Sequence, residues 1–156
     1  MNISWFDNVI INPHLYVEEI LKNPFADVEA GPQIFKGIQV RGQDELSEVI
    51  LSLFPDYKTA YSFVRQSPVG QKEPNFIHTD EMMGDKTVIL YLNKTYPPEA
   101  GTTLYDNNIP MCRIFAKFNR MTVFDSVIPH SRNIFENFGI GNHARLAQVM
   151  FIKKNV

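Results

Sequence analysis

From Lys58 onward the chain is a run of short segments rich in β-branched and aromatic residues: "TAYSFVRQ", "NFIH", "KTVILYLN", "TTLYD", "CRIFAKF", "MTVFD", "SRNIF" and "RLAQVMFIKK". Pro, Gly and Asn separate them in "SPVG", "YPPEAG", "DNNIP" and "NFGIGN", and no helical period intervenes. Seven or eight short strands in succession predict a β-sandwich or a jelly-roll barrel.

The first third reads differently. In "NPHLYVEEILKNP", Asn12 is placed to cap a helix and Pro13 to open it; Pro24 stops it, and Val17, Ile20 and Leu21 share one face. "QDELSEVILSLFP" repeats the pattern, with Asp44 as cap, Leu46, Val49, Ile50 and Leu53 as the apolar stripe, and Pro55 as the stop. "QIFKGIQVR" between them reads as a strand. The expectation is one α+β, mainly β domain over residues 1–156, with helical support in 1–57 packed on a jelly-roll core in 58–156.

A length of 156 residues suffices to bury a core, and 44% hydrophobic with 21% charged residues is ordinary for a globular protein. The net charge of −2, with Lys and Arg scattered, gives no sign of a nucleic-acid or anionic-membrane surface. No apolar run reaches membrane-spanning length. Cys112 is the single cysteine, and "MNISWFDNVIINP" has neither a basic start nor a long apolar stretch. An intracellular, cytoplasmic protein without disulfides is expected.

"FIHTD" carries the chemistry. On a strand, residues two apart point the same way, so His78 and Asp80 would project together and could grip one cation. A third ligand must come from elsewhere. His14 lies on the first helix and His143 in a Gly/Asn-rich turn, whereas "MTVFDSVIPHSRNIF" puts His130 after an apolar strand and at the mouth of the next. Two histidines and one carboxylate form the facial triad of non-haem Fe(II) oxygenases. "GIGNHA" fits a dinucleotide fingerprint formally, but a strand-like segment follows it where a helix is needed, so that reading is discarded.

At these residues the sequence resembles the Fe(II)- and 2-oxoglutarate-dependent dioxygenases, in particular their prolyl 4-hydroxylase-like branch, from about Tyr61 to Lys153. "FIHTD" is similar to the His-x-Asp strand, "TVILYLN" to a strand ending in Tyr-Leu-Asn, and "NRMTVFDSVIPHS" to the strand entering the distal histidine. "EAGTTLYD" resembles a turn usually written with two glycines, the first replaced here by Ala100. "RLAQVMFI" is similar to the last strand, whose basic residue binds the cosubstrate. The resemblance implies a double-stranded β-helix in which His78, Asp80 and His130 hold Fe(II). It implies that Arg145 meets the distal carboxylate of 2-oxoglutarate, with Tyr91 hydrogen-bonded to the same group, and that O₂ is the co-reactant. A planar guanidinium suits a carboxylate, which it can bind through two parallel hydrogen bonds. Arg145 stands fifteen positions after His130, farther than in many members, with the extra residues in "ENFGIGNH" over 136–143. Arg132, two past His130, could reach a substrate anion, and Arg65 and Gln66 could border the pocket.

The implied activity is hydroxylation of a prolyl peptide, an amino acid or another small molecule, with conversion of 2-oxoglutarate to succinate. Asp80 favours that outcome, since related halogenases lack the acid. Two alternatives stand beside it: a cupin-like metalloenzyme without 2-oxoglutarate, which would need neither Arg145 nor Tyr91, and a non-catalytic jelly-roll binding module.

Overall fold

The computed structural model describes residues 2–74 and 76–156. Helix α1 (Pro13–Leu21) starts as its sequence dictates, with the Asn12 side chain accepting from Leu15 N at 3.2 Å and Pro13 at the first position, where no helical hydrogen bond is lost. Helix α2 (Glu45–Leu53) is capped by Asp44, which accepts from Ser47 N at 3.1 Å. Leu46 and Ile50 are buried as expected, but Leu53 is exposed and Ser47 is buried instead. Ser47 can turn inward because its hydroxyl is satisfied by Asp44 Oδ1 at 3.1 Å.

Among the described residues ten strands accompany the helices: β1 (Ile3–Phe6), β2 (Ala26–Ala30), β3 (Gln33–Val40), β4 (Tyr57–Ser67), β5 (Lys86–Tyr91), β6 (Gly101–Asp106), β7 (Ile109–Phe115), β8 (Met121–Asp125), β9 (His130–Arg132) and β10 (Arg145–Lys154). β1 and β2 are absent from the sequence reading. Both are edge strands, and β2, "ADVEA", is exposed along most of its length and lacks a buried face to leave a period-2 signature. The β6–β7 hairpin turns on Asn107 and Asn108, both at positive φ, as a two-residue turn matching strand twist requires. Gly101 sits at φ +148° with Ile114 O only 2.0 Å from where a Cβ would lie. Of Ala100 and Gly101, the two positions of the turn that leads into β6, Gly101 is the one that must be glycine.

All pairs are antiparallel. A seven-stranded sheet runs β1-β8-β5-β10-β4-β3-β2, and a three-stranded sheet runs β7-β6-β9. Alternation along β5 and β10 sends the two faces of the large sheet to two cores. Val88, Leu90, Leu146, Met150 and Ile152 join Val64, Val123 and the helical residues Val17, Ile20, Leu46 and Ile50 in one buried cluster. On the opposite face, Phe124 and Ile89 meet Leu104, Ile114 and Ile128 from the small-sheet side. The architecture is a mainly β sandwich with two helices.

A buried polar network ties α2 to the sheet. Gln148 of β10 donates to Asp44 Oδ2 (3.1 Å) and to Ser62 Oγ (3.0 Å), and Tyr16 donates to Gln148 Oε1 at 2.6 Å. Arg41 Nε adds a 3.1 Å ion pair to Asp44. Burial works to raise the Asp44 pKa, but hydrogen bonds from Ser47, Gln148, Arg41 and Tyr16 outweigh it and hold the carboxyl below its ordinary value. Asp44→Ala should therefore cost about 2–4 kcal/mol, combining a lost cap with stranded buried donors. Urea unfolding at pH 7 measures this. A depressed native pKa stabilises above the unfolded value, about 3.9, and the benefit vanishes as pH falls through the native one. The gap between wild type and variant should accordingly close below about pH 4.

Candidate metal centre and its surroundings

His130 opens β9 opposite Leu104, so its side chain enters the space between the sheets. His78 reaches it without a strand. The anticipated segment "NFIH" begins at Asn75, outside the described residues, and His78 forms a single antiparallel bridge with His130 through reciprocal hydrogen bonds of 3.1 and 2.9 Å. β9 is only three residues long, which leaves little ladder to extend, and Pro74 can donate no backbone hydrogen bond. Asp80 is anchored separately, by its N–H to Ser126 O at 2.9 Å, and Thr87 Oγ1 donates to Asp80 Oδ2 at 3.1 Å. Ser126 Oγ lies 2.9 Å from that same hydroxyl. The same-side placement expected of a strand is thus produced by a bridge and a turn.

One ligand atom from each of His78, Asp80 and His130 lies within 4.8 Å of the others. Nε2 of His130 is 3.0 Å from Asp80 Oδ2, and Nε2 of His78 is 3.5 Å from Oδ1. Each Nδ1 faces a backbone carbonyl, Phe76 O at 3.1 Å and Ile128 O at 3.0 Å. A carbonyl only accepts, so Nδ1 carries the proton and Nε2 keeps its lone pair. Two nitrogen lone pairs and a carboxylate then converge on one point, an arrangement that requires a proton or a cation between them. Burial opposes ionisation of Asp80, but the hydrogen bond and positive charge of a protonated His130, with lesser help from His78 and Thr87, hold its pKa low, the same direction in which a cation between them would act. Side-chain exposure falls from 41% at His78 to 13% at Asp80 and 6% at His130, so the site opens on the His78 side. His14, against the Phe118 ring, and His143, in the Gly141–His143 turn, do not join it.

The neighbouring polar residues lie on the same inner space. Ala147 of β10 is directly opposite Arg65 of β4 and Tyr91 of β5, so these three share a face, and Arg145 joins it two residues before Ala147. Across the gap, Tyr91 Oη meets Thr102 Oγ1 at 2.6 Å, and Thr102 is opposite Arg132 on β9. Burial lowers the Arg145 pKa to about 10, and repulsion from Arg132 adds to the effect. Among the described residues no hydrogen-bond or ion-pair partner meets the Arg145 guanidinium. Burial likewise pushes the Tyr91 hydroxyl up to about 12, keeping it a neutral donor.

The other arginines are engaged. Arg65 Nη1 and Arg132 Nη1 each lie 3.4 Å from Glu73 Oε1, while Gln71 and Asn137 donate to Oε2 at 2.9 and 2.8 Å. Gln66 points to the opposite face from Arg65, level with Leu146, and donates to Gly141 O. Alternation along β4 removes it from the pocket border anticipated from sequence. Glu73, Thr87, Ser126, Thr102 and Asn137 were not anticipated, because a loop acid and isolated hydroxyls or amides make no pattern in a single sequence.

No protein-family model and no curated protein sequence matches the chain. Solved structures do. A prolyl hydroxylase from Trichoplax adhaerens, in complex with a hypoxia inducible factor oxygen degradation domain peptide fragment, superposes with a TM-score of 0.69 at 16% identity, over 96% of this chain and 82% of that one. The fold is that of an oxygenase of this kind. A 2OG-Fe(II) oxygenase family protein from Burkholderia pseudomallei gives 0.63 at 14% identity over 96% and 84%. A Pseudomonas putida prolyl-4-hydroxylase gives 0.60 at 16% over 99% and 93%.

Proposed function

We propose that the chain is a non-haem Fe(II)- and 2-oxoglutarate-dependent dioxygenase built as one double-stranded β-helix domain over residues 1–156, its N-terminal helices packed on the core. The observation that carries the reading is a convergent His-Asp-His donor set sharing the inter-sheet space with a buried arginine that meets no anion among the described residues. His78, Asp80 and His130 would hold iron, leaving the remaining positions for the cosubstrate and O₂. Bound there, Fe(II) with 2-oxoglutarate and O₂ supplies the oxidation, converting the cosubstrate to succinate and CO₂ and placing an oxygen atom on the substrate.

The residues of the chain do the rest. The Phe76 and Ile128 carbonyls fix the histidine tautomers, and Thr87 orients the Asp80 carboxylate. Arg145 receives the distal carboxylate through its planar fork, with Tyr91 donating beside it and accepting in turn from the Thr102 hydroxyl. Small Ala147 leaves room between them. A cosubstrate-free cupin-like enzyme or a binding module would leave Arg145 buried without a counter-ion, which is costly. The substrate is a small molecule or a peptide, the latter supported by the peptide held by the Trichoplax structure. An intracellular location agrees with the free Cys112. Purified protein with Fe(II), 2-oxoglutarate and O₂ is expected to form succinate slowly even without substrate, and to stop when any one is omitted. Absence of 2-oxoglutarate-dependent succinate under all conditions, on protein that binds Fe(II), would sink the reading.

A further inference from the structure

The rings of Tyr61, Phe63 and Phe151 line one face of the large sheet, with centroids 5.6 Å apart for the first two and 6.4 Å for the last two. Among the described residues these rings join neither buried core. Strand pairing fixes where they lie. Thr87, whose hydroxyl donates to Asp80, is opposite Phe151, and Phe151 is opposite Tyr61. The two rings therefore stand about 5 and 10 Å across the sheet from a residue that holds a metal ligand. Two residues along each strand, Ile89, Val149, Phe63 and Val40 form a second row on the same face. The small-sheet core takes in Ile89 of that row and, among the described residues, none of the others. Beyond it Tyr61, Phe63 and Val149 are half-buried and Val40 is 58% exposed. The segment bearing His78 and Asp80 comes down beside the same rings. A Cβ on Gly84 would lie 3.1 Å from Phe151 Cβ, and Met82 and Met83 just before it are exposed.

Apolar surface that the fold leaves out of its cores, continuous with a reaction centre, fits an apolar occupant. The charges agree. Neither row carries a charged side chain, so a charge on the occupant would be buried there without a partner. Arg65, next along β4 on this face, is engaged by Glu73 Oε1 at 3.4 Å and by Lys36 O at 3.0 Å. The shelf also lies inside the sheet. β10, β4 and β3 pair with one another, and β9 is bridged by His78, so among the described residues no strand edge borders the rings for a peptide backbone to join.

Resting on the oxygenase reading, we infer that the primary substrate is a small neutral molecule with a hydrocarbon ring or chain. It lies on the Tyr61–Phe63 shelf and brings a C–H bond to the metal. One atom of O₂ enters that bond as hydroxyl and the other enters succinate, with CO₂ leaving 2-oxoglutarate.

The test uses protein loaded with Fe(II) and saturated with 2-oxoglutarate under argon, where iron broadens the proton resonances of any small molecule held near it; Zn(II)-loaded protein is the diamagnetic control. The probes are cyclohexanol and indole, against myo-inositol, cyclohexylammonium and cyclohexanecarboxylate, with an end-blocked glycine–phenylalanine–glycine tripeptide beside them. Cyclohexanol or indole should bind at least about fivefold more tightly than every other probe. Tyr61→Ser and Phe63→Ser should each remove most of that preference, and Val40→Ser, at an exposed position, should weaken it, all with 2-oxoglutarate binding kept. Ile109→Ser, on the β6–β7 hairpin and 68% exposed, should change nothing. Equal binding of the neutral, polar and charged rings, tighter binding of the tripeptide than of both small molecules, or a preference that survives in both Tyr61→Ser and Val40→Ser overturns the inference and leaves the oxygenase reading standing. Failure of the loaded protein to bind 2-oxoglutarate at all overturns both.

Discussion

His130→Ala is expected to weaken Fe(II) binding by more than about 100-fold, beyond the range seen when only an outer hydrogen-bond partner of a ligand is removed. Asp80→Ala should do the same, since it takes away the charge on which both Nε2 atoms converge. The two histidines should differ in a second readout. His130 is buried against the Phe124 ring, with centroids 4.7 Å apart, so its removal should also lower the melting temperature. His78 is the exposed ligand on a single bridge, and His78→Ala should lose metal at nearly unchanged apo stability. Isothermal titration with Fe(II) under argon, paired with thermal melts of the metal-free proteins, measures both quantities. Wild-type metal affinity in folded His130→Ala would remove it from the site.

The second large effect is on the cosubstrate. Arg145→Met should reduce 2-oxoglutarate affinity by about 100- to 1,000-fold, equivalent to about 3–4 kcal/mol for two charge-assisted hydrogen bonds, with Fe(II) affinity kept. The unusual part is the expected stability. In the cosubstrate-free protein the guanidinium is a buried cation with burial depressing its pKa, so the methionine variant should melt no lower than wild type. Adding Fe(II) and 2-oxoglutarate should raise the wild-type melting temperature and leave the variant's at its Fe(II)-only value. An arginine kept for structure would give the opposite pattern, a lower melting point and no change in the ligand response.

The parts of this molecule that were legible in sequence are those with a local cause. Asn12-Pro13 and Asp44 announce their helices because caps act within a single turn, and β10 runs over the anticipated Arg145–Lys154 because both its faces are filled. His78, Asp80 and His130 converge as anticipated although the strand supposed to align the first two does not form. Arg65 and Arg132 were named from sequence, but the ion-pair cluster that Glu73 builds with them was illegible. Glu73, Arg65, Arg132 and Asn137 come from four separate places in the chain, and only the β9–β6 and β4–β10 registers bring them together. Edge strands β1 and β2 were equally hidden, β2 because exposure along most of its length erases the alternation by which a strand is read, and β1 because four residues are too few to show one.

One titration tests the cosubstrate site most directly: 2-oxoglutarate into the Fe(II)-loaded wild-type protein and its Arg145→Met variant under argon, followed by visible absorption. Chelation of 2-oxoglutarate to a His-Asp-His iron is expected to give a saturable charge-transfer band in the wild type, with the variant needing at least about 100-fold more cosubstrate to reach the same amplitude. A wild-type protein that binds Fe(II) and shows no band, or a variant that saturates at the wild-type concentration, would contradict it.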